Sequence, residues 1–156
     1  MRKERMNDKG FSLVELIIVI AIMAILLVVL APQYLRYVER SRNSTDLQNA
    51  TEIVTALQVY AADPEATVAP AAGNIQITNA DQTPAAGGFI ATALGQAGLL
   101  DSGVLHTRCQ SRTNWTDYTI TWTVTDGQLN FTYSATAPAG ASGPTFAQRM
   151  LGQTGS

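Results

Sequence analysis

The polar and apolar positions are sharply segregated along the chain. Residues 16–31 are apolar without exception, and in the wider stretch 11–31 only Ser12 and Glu15 interrupt the run. About 20 apolar residues rising 1.5 Å each cross a hydrocarbon core of about 30 Å, so the stretch predicts a membrane-spanning helix. After Pro32 the pattern changes. Leu47, Ala50, Ile53, Val54, Leu57, Tyr60 and Ala61 recur at spacings of three and four, the stripe of an amphipathic helix. Asp63-Pro64 stops it, because a residue before proline avoids the helical region. The two stretches together predict one helix of about 50 residues and about 75 Å, of which less than half fits in a bilayer. Pro32 removes a helical hydrogen bond and predicts a kink there.

The remaining residues read as a small head. Residues 74–78 alternate like a short strand, residues 89–97 suit a short helix stopped by Gly98, and residues 104–108 form a candidate strand. The strongest local signal is Asp126-Gly127 between two alternating, β-prone runs, which predicts a hairpin over residues 118–133. Tyr118, Ile120, Trp122 and Val124 fall on one face of the first strand, and Leu129, Phe131 and Tyr133 on one face of the second. That face is expected to cover the helical stripe. From residue 135 the chain is rich in Ala, Gly and Pro and reads as a flexible tail, with Phe146, Met150 and Leu151 as its candidate anchors. The fold class is therefore α+β: a long N-terminal helix packed on a small antiparallel sheet. Its segments are residues 1–10, 11–32, 33–62, 63–134 and 135–156.

Charge sharpens this picture. Arg2, Lys3, Arg5 and Lys9 outweigh Glu4 and Asp8 directly before the apolar run, which by the positive-inside rule keeps that end cytoplasmic and sends the head outward. A conventional signal peptide has an apolar core of about 7–15 residues and ends at a small-residue cleavage site, and this run is longer and lacks one. Arg36, Arg40 and Arg42 beyond Pro32 read as a solvated helix face, with pairing across subunits as the alternative. An acid at position 15 costs on the order of 1–3 kcal/mol in lipid and calls for a partner. Its nearest cations are Lys9, Arg5 and, were the chain cut after Gly10, the new amine of Phe11, in its own chain or a neighbour's; the other reading is that it caps its own helix start at the positive end of the helix dipole.

The octet Lys9-Gly10-Phe11-Ser12-Leu13-Val14-Glu15-Leu16, followed by an unbroken apolar helix, resembles the processing motif of type IV prepilins and of the pseudopilins of type II secretion and competence systems. The likeness is close over residues 9–42 and architectural beyond them. It implies cleavage between Gly10 and Phe11 by a membrane-embedded prepilin peptidase, N-methylation of Phe11, and Glu15 as the charge that pairs between subunits and sets their register. It implies identical and related pilin subunits as partners, an inner-membrane assembly platform with an ATPase motor, and lipid around the stem before assembly. A single pass through the cytoplasmic membrane would then precede release into an extracellular filament. The glycine before the cut also lets a protease approach the backbone closely.

The rest of the composition excludes more than it offers. A net charge of −2 gives no bulk basicity for a nucleic-acid partner, and no phosphate-binding glycine loop occurs. One His and one Cys, His106 and Cys109, cannot build a zinc cage or an internal disulfide, so no metal, cofactor or catalytic residue is expected. The head carboxylates Asp63, Glu65, Asp81, Asp101, Asp117 and Asp126 mostly suit turns. The N-x-[ST] triplets at Asn43, Asn49, Asn114 and Asn130 are expected by chance in a Thr-rich chain. A lone Cys109 departs from the disulfide-closed loop of many Gram-negative pilins, and by resemblance the chain is closer in style to pilins of Gram-positive anaerobes. Three functions stand: a pilus subunit, a pseudopilin, or an unrelated single-span protein whose head binds or catalyses.

Overall fold

The computed structural model describes residues 11–152. The charged leader with Gly10, and the last four residues, lie outside them. By its contacts the chain divides between Val38 and Glu39 into two compact units, and one helix, α1 (Leu13–Ala62), contributes to both.

The first unit contains the apolar half of α1. Every side chain from Phe11 to Tyr37 is exposed, including sixteen large apolar ones between Phe11 and Leu30. Burying one such side chain is worth about 1.5–3 kcal/mol, so tens of kcal/mol of burial are left unrealised in a lone copy in water. This helix is long and apolar enough to cross a membrane. α1 continues through Pro32 without interruption.

The second unit builds the head on the polar half of α1. In chain order it adds β1 (Gly73–Ile77), α2 (Phe89–Gln96), β2 (Leu100–Asp101), β3 (Val104–Leu105), β4 (Asp117–Thr125), β5 (Gln128–Thr136) and α3 (Phe146–Met150). β1, β4 and β5 form an antiparallel sheet in that order, with Ile75 opposite Ile120 and Trp122 opposite Phe131. The β4–β5 turn takes Asp126 and Gly127 at φ of 52° and 74°, the doubly left-handed backbone that a two-residue hairpin loop requires. Gly73 has a different reason: a Cβ there would lie 2.9 Å from the Trp122 ring.

One hydrophobic core forms between the α1 stripe and the sheet. Ala50, Ile53, Leu57 and Tyr60 are buried against Ile77, Tyr118, Ile120 and Trp122 in a single cluster, with α2 contributing Phe89, Ala93 and Leu94. The expected faces of the hairpin are thus the buried ones, except that Val124, near the turn, is exposed. α2 stops as anticipated, with Gly98 at φ 73° and Leu99 N–H donating to the Leu94 carbonyl.

Two expectations need correction. The candidate strand over residues 104–108 is only the two-residue β3, paired with β2. Leu105 bonds both ways with Gln82, and the chain then leaves the ladder so that Cys109 N–H can bond the Thr78 carbonyl. The stretch beginning at residue 135 is not simply loose: β5 reaches Thr136, and α3 seats Phe146 in the core, stacked on Tyr118 at 4.5 Å and edge-on to Trp115 at 5.3 Å. Thr145 starts α3 with a capping box, accepting from Gln148 N–H while its own N–H donates to the Gln148 side chain. Leu151 stays exposed.

Truncation of Phe146 therefore removes a core ring rather than a tail residue. Phe146→Ala is expected to destabilise the protein by about 3–5 kcal/mol, read as a lowered denaturant midpoint of the detergent-solubilised chain with unchanged slope.

Candidate assembly site

The sequence places four residues at the proposed assembly segment, and three of them are described. Phe11 is almost wholly exposed ahead of the first turn of α1. Glu15 sits in that turn and turns back on it, Oε2 accepting the Ser12 N–H at 2.9 Å. The carboxylate thus satisfies one of the four N–H groups that a helix start leaves unpaired and lies at the positive end of the helix dipole. Among the described residues no cation bonds Glu15. Pro32, lacking an N–H, leaves the carbonyl four residues back, on exposed Val28, without its usual helical partner. Gly10 lies outside the described residues.

A second polar arrangement, in the head, was missed by reading the residues beyond Pro32 as a solvated face. Arg36, Arg40 and Arg42 are exposed, but Glu39 is buried, and Asn43 and Asp46 follow it on the same face at one and two turns. The segment from Cys109 to Trp115 wraps this face with its backbone N–H groups. Glu39 Oε1 accepts the Ser111 hydroxyl at 2.6 Å and the N–H groups of Arg112 and Thr113 at 2.8 and 2.9 Å. Arg42 approaches the other oxygen at 3.6 Å. Asp46 accepts from Gln110 N–H at 2.7 Å, Ser111 N–H at 2.9 Å and the Trp115 indole at 2.8 Å, with the Cys109 thiol at 3.5 Å. The two side chains thereby bond seven groups of a segment that forms neither helix nor strand and has few backbone partners of its own.

The electrostatics follow from these bonds. Burial alone would raise the Glu39 carboxyl, but the donors from Ser111, Thr113 and Arg112 outweigh it and hold it at about 2 instead of 4.5. Burial, with Asp46 beside it, pushes the Cys109 thiol up to about 12. Burial also raises the phenol of Tyr118, whose hydroxyl, like Asn43 Oδ1, has no hydrogen-bond partner among the described residues. His106 and Cys109 do not come together: His106 Nδ1 faces Asp81 at 3.2 Å on the surface, where Arg108 also bonds Asp81 at 2.8 Å. Arg108 is the main cause of the lowered Asp81 carboxyl.

The segment that carries Phe11 and Glu15 is also where the chain resembles known proteins. The family described as the prokaryotic N-terminal methylation motif matches residues 5–31. Its N-terminal segment thus carries a prepilin-type methylation motif. It is similar to prepilin peptidase-dependent protein A of Clostridium perfringens, 33% identical over 78 residues, or 50% of this chain and 54% of that protein. It is also similar to the type IV major fimbrial protein FimA of Dichelobacter nodosus, 39% identical over 56 residues, or 36% of each chain. The pilin-like chain thus spans about half the length of the first of these relatives and about a third of the second. No solved structure gives a significant match.

The buried Glu39 carries a pH signature. Its folded value lies below its ordinary one, so its contribution is full above about pH 4.5 and is lost as pH falls toward about 2. The difference corresponds to roughly 3 kcal/mol. Glu39→Gln is expected to be destabilised at neutral pH and to lose this share of the wild-type fall in stability between pH 5 and 2, checked by denaturant midpoints across that range.

Proposed function

We propose that this chain is a structural subunit of a type IV pilus, cut between Gly10 and Phe11 and polymerised through its apolar stem. The observation that carries the reading is the pairing of a prepilin motif with an apolar helix that stays exposed among the described residues. In a membrane, lipid covers that helix; in a filament, other stems do. Either exchange satisfies the hydrophobic requirement, so transfer from lipid to filament asks little of the apolar surface. What discriminates the two is charge. Before cleavage Glu15 is held by its own helix start. Once the cut exposes a cationic amine on Phe11, that acid gains a partner in the next copy, at a depth where an unpaired carboxylate is penalised. Pro32 kinks the stem under load, beside the unpaired carbonyl of Val28.

The partners follow from this cycle: a prepilin peptidase on the cytoplasmic face, a platform and ATPase motor in the inner membrane, lipid around the waiting subunit, and further pilin subunits. The head stands outside the cell and the leader inside, in line with the cationic residues before the stem. A role as a secretion pseudopilin rests on the same stem. The pilus reading is favoured because FimA, a similar chain, is a major fimbrial protein.

Mass spectrometry of the mature protein is expected to give an N-terminus at Phe11 carrying one added methyl group; an uncut Met1 chain in assembly-competent cells sinks the reading. Glu15→Val is expected to insert and be cut normally but to lower surface filament yield at least about tenfold in electron micrographs, equivalent to 1.4 kcal/mol or more. Loss of protein export with surface filaments intact, on deleting the gene, would assign the chain to secretion instead.

A further inference from the structure

The head carries a groove that its own core does not fill. It is an open trough of about 690 Å³ along the side of α1 facing α2, floored by Ala56, Tyr60, Ala93 and Leu99, with Val59 strongly exposed within it. Glu52 and Asp63 stand on its rim, and no Lys, Arg or His lines it. Both carboxyls bond only uncharged neighbours, Gln48 and the Glu65 N–H, so among the described residues the groove presents two acids without a cation. The helix surface beside it is prepared for contact. Ser44, Thr45, Thr51 and Thr55 each donate their hydroxyl to the carbonyl four residues back, leaving a face of small side chains with little polar demand.

The complementary surface is on the same helix, just past Pro32. Tyr34, Leu35 and Tyr37 are between 66% and 72% exposed, too apolar a cluster to be left in water. Arg36 and Arg40, one turn apart, are exposed and have no acidic partner among the described residues. Glu39 between them is taken up by the 109–115 segment. The segment therefore offers two exposed cations and a pair of aromatic rings, where the groove offers two acids and an apolar floor.

We propose that the α1–α2 groove of one copy receives the Tyr34–Arg40 segment of a second copy, tyrosines on the apolar floor, Arg40 beside Asp63 and Arg36 reaching along the rim toward Glu52. Tyr37 and Val59 are 22 positions apart, so parallel copies docked in this way are staggered by about 33 Å of helix rise. The Phe11–Glu15 pairing needs an offset of only about 6 Å, from four residues of rise. The two contacts thus join a given copy to different neighbours, and the head adds specificity to a stem whose hydrocarbon surface has almost none. The docking rests on the subunit reading above.

The test uses the full chain assembled in cells. In Tyr37→Cys/Val59→Cys, oxidation is expected to join successive copies into a ladder on denaturing gels. Either single variant stays monomeric, because native Cys109 is buried with its thiol pushed up to about 12. Independently, Glu52→Lys/Asp63→Lys is expected to lower filament yield about tenfold, and adding Arg36→Glu/Arg40→Glu to restore most of it. These groove positions are exposed or rimming, so the head keeps its core. Filaments that form without a ladder, or a lysine variant that assembles as well as wild type, overturn the docking while the subunit reading stands. A ladder to a different protein does the same. A wild-type chain that forms no filament at all removes the subunit reading first and this contact with it.

Discussion

A helix whose first half offers only hydrocarbon to its surroundings has no stable place in water, and the rest of this molecule follows from that constraint. Sixteen large apolar side chains between Phe11 and Leu30 stay exposed among the described residues. A helix bonds its backbone internally, as lipid requires, and in lipid as in a helix bundle its apolar side chains find apolar neighbours. Because hydrocarbon surface carries little directional information, the polar interruptions acquire disproportionate weight. Within the stem these are Ser12 and Glu15, and both lie in or beside the first turn.

The head solves a different problem. It has to hold a small sheet on the polar half of the same helix with limited apolar area, and it uses two kinds of contact. The lower stripe of α1, Ala50 through Tyr60, contributes hydrophobic packing. Beside it, Glu39 and Asp46 bond seven groups of the 109–115 segment, a loop that would otherwise carry unpaired backbone donors into the interior. Breaking either carboxyl leaves several buried donors unsatisfied at once, each worth about 1–3 kcal/mol, so this polar seam is as committing as the core below it. Cys109 lies in this seam, buried beside Asp46, an environment that disfavours the thiolate.

Much of the architecture was legible in the residues. The period of three and four from Leu47 to Ala61 marked the core face of α1, the alternation around Asp126-Gly127 marked the hairpin, and Gly98 marked the end of α2. These are local signals, in which a backbone preference and a burial pattern agree within a few positions. Even α3 had one, since Thr145-Phe146-Ala147-Gln148 is a capping box, but its surroundings of Ala, Gly and Pro masked it. The prepilin motif was legible for another reason: an enzyme must recognise it as a linear segment, so its chemistry is written contiguously.

By itself, then, the order of residues determined the apolar stem, the helical stripe, the hairpin and the segment that a processing enzyme would meet, because each is encoded by neighbours in the chain. Only the tertiary structure decided the fate of Glu39, Asn43 and Asp46. A charged residue between arginines reads as solvated unless something distant supplies donors, and those donors come from more than sixty positions away. The groove beside α2, and the burial of Phe146 against Tyr118, were decided in the same way. Backbone N–H groups look identical in every sequence, and only folding determines which carboxyl they find.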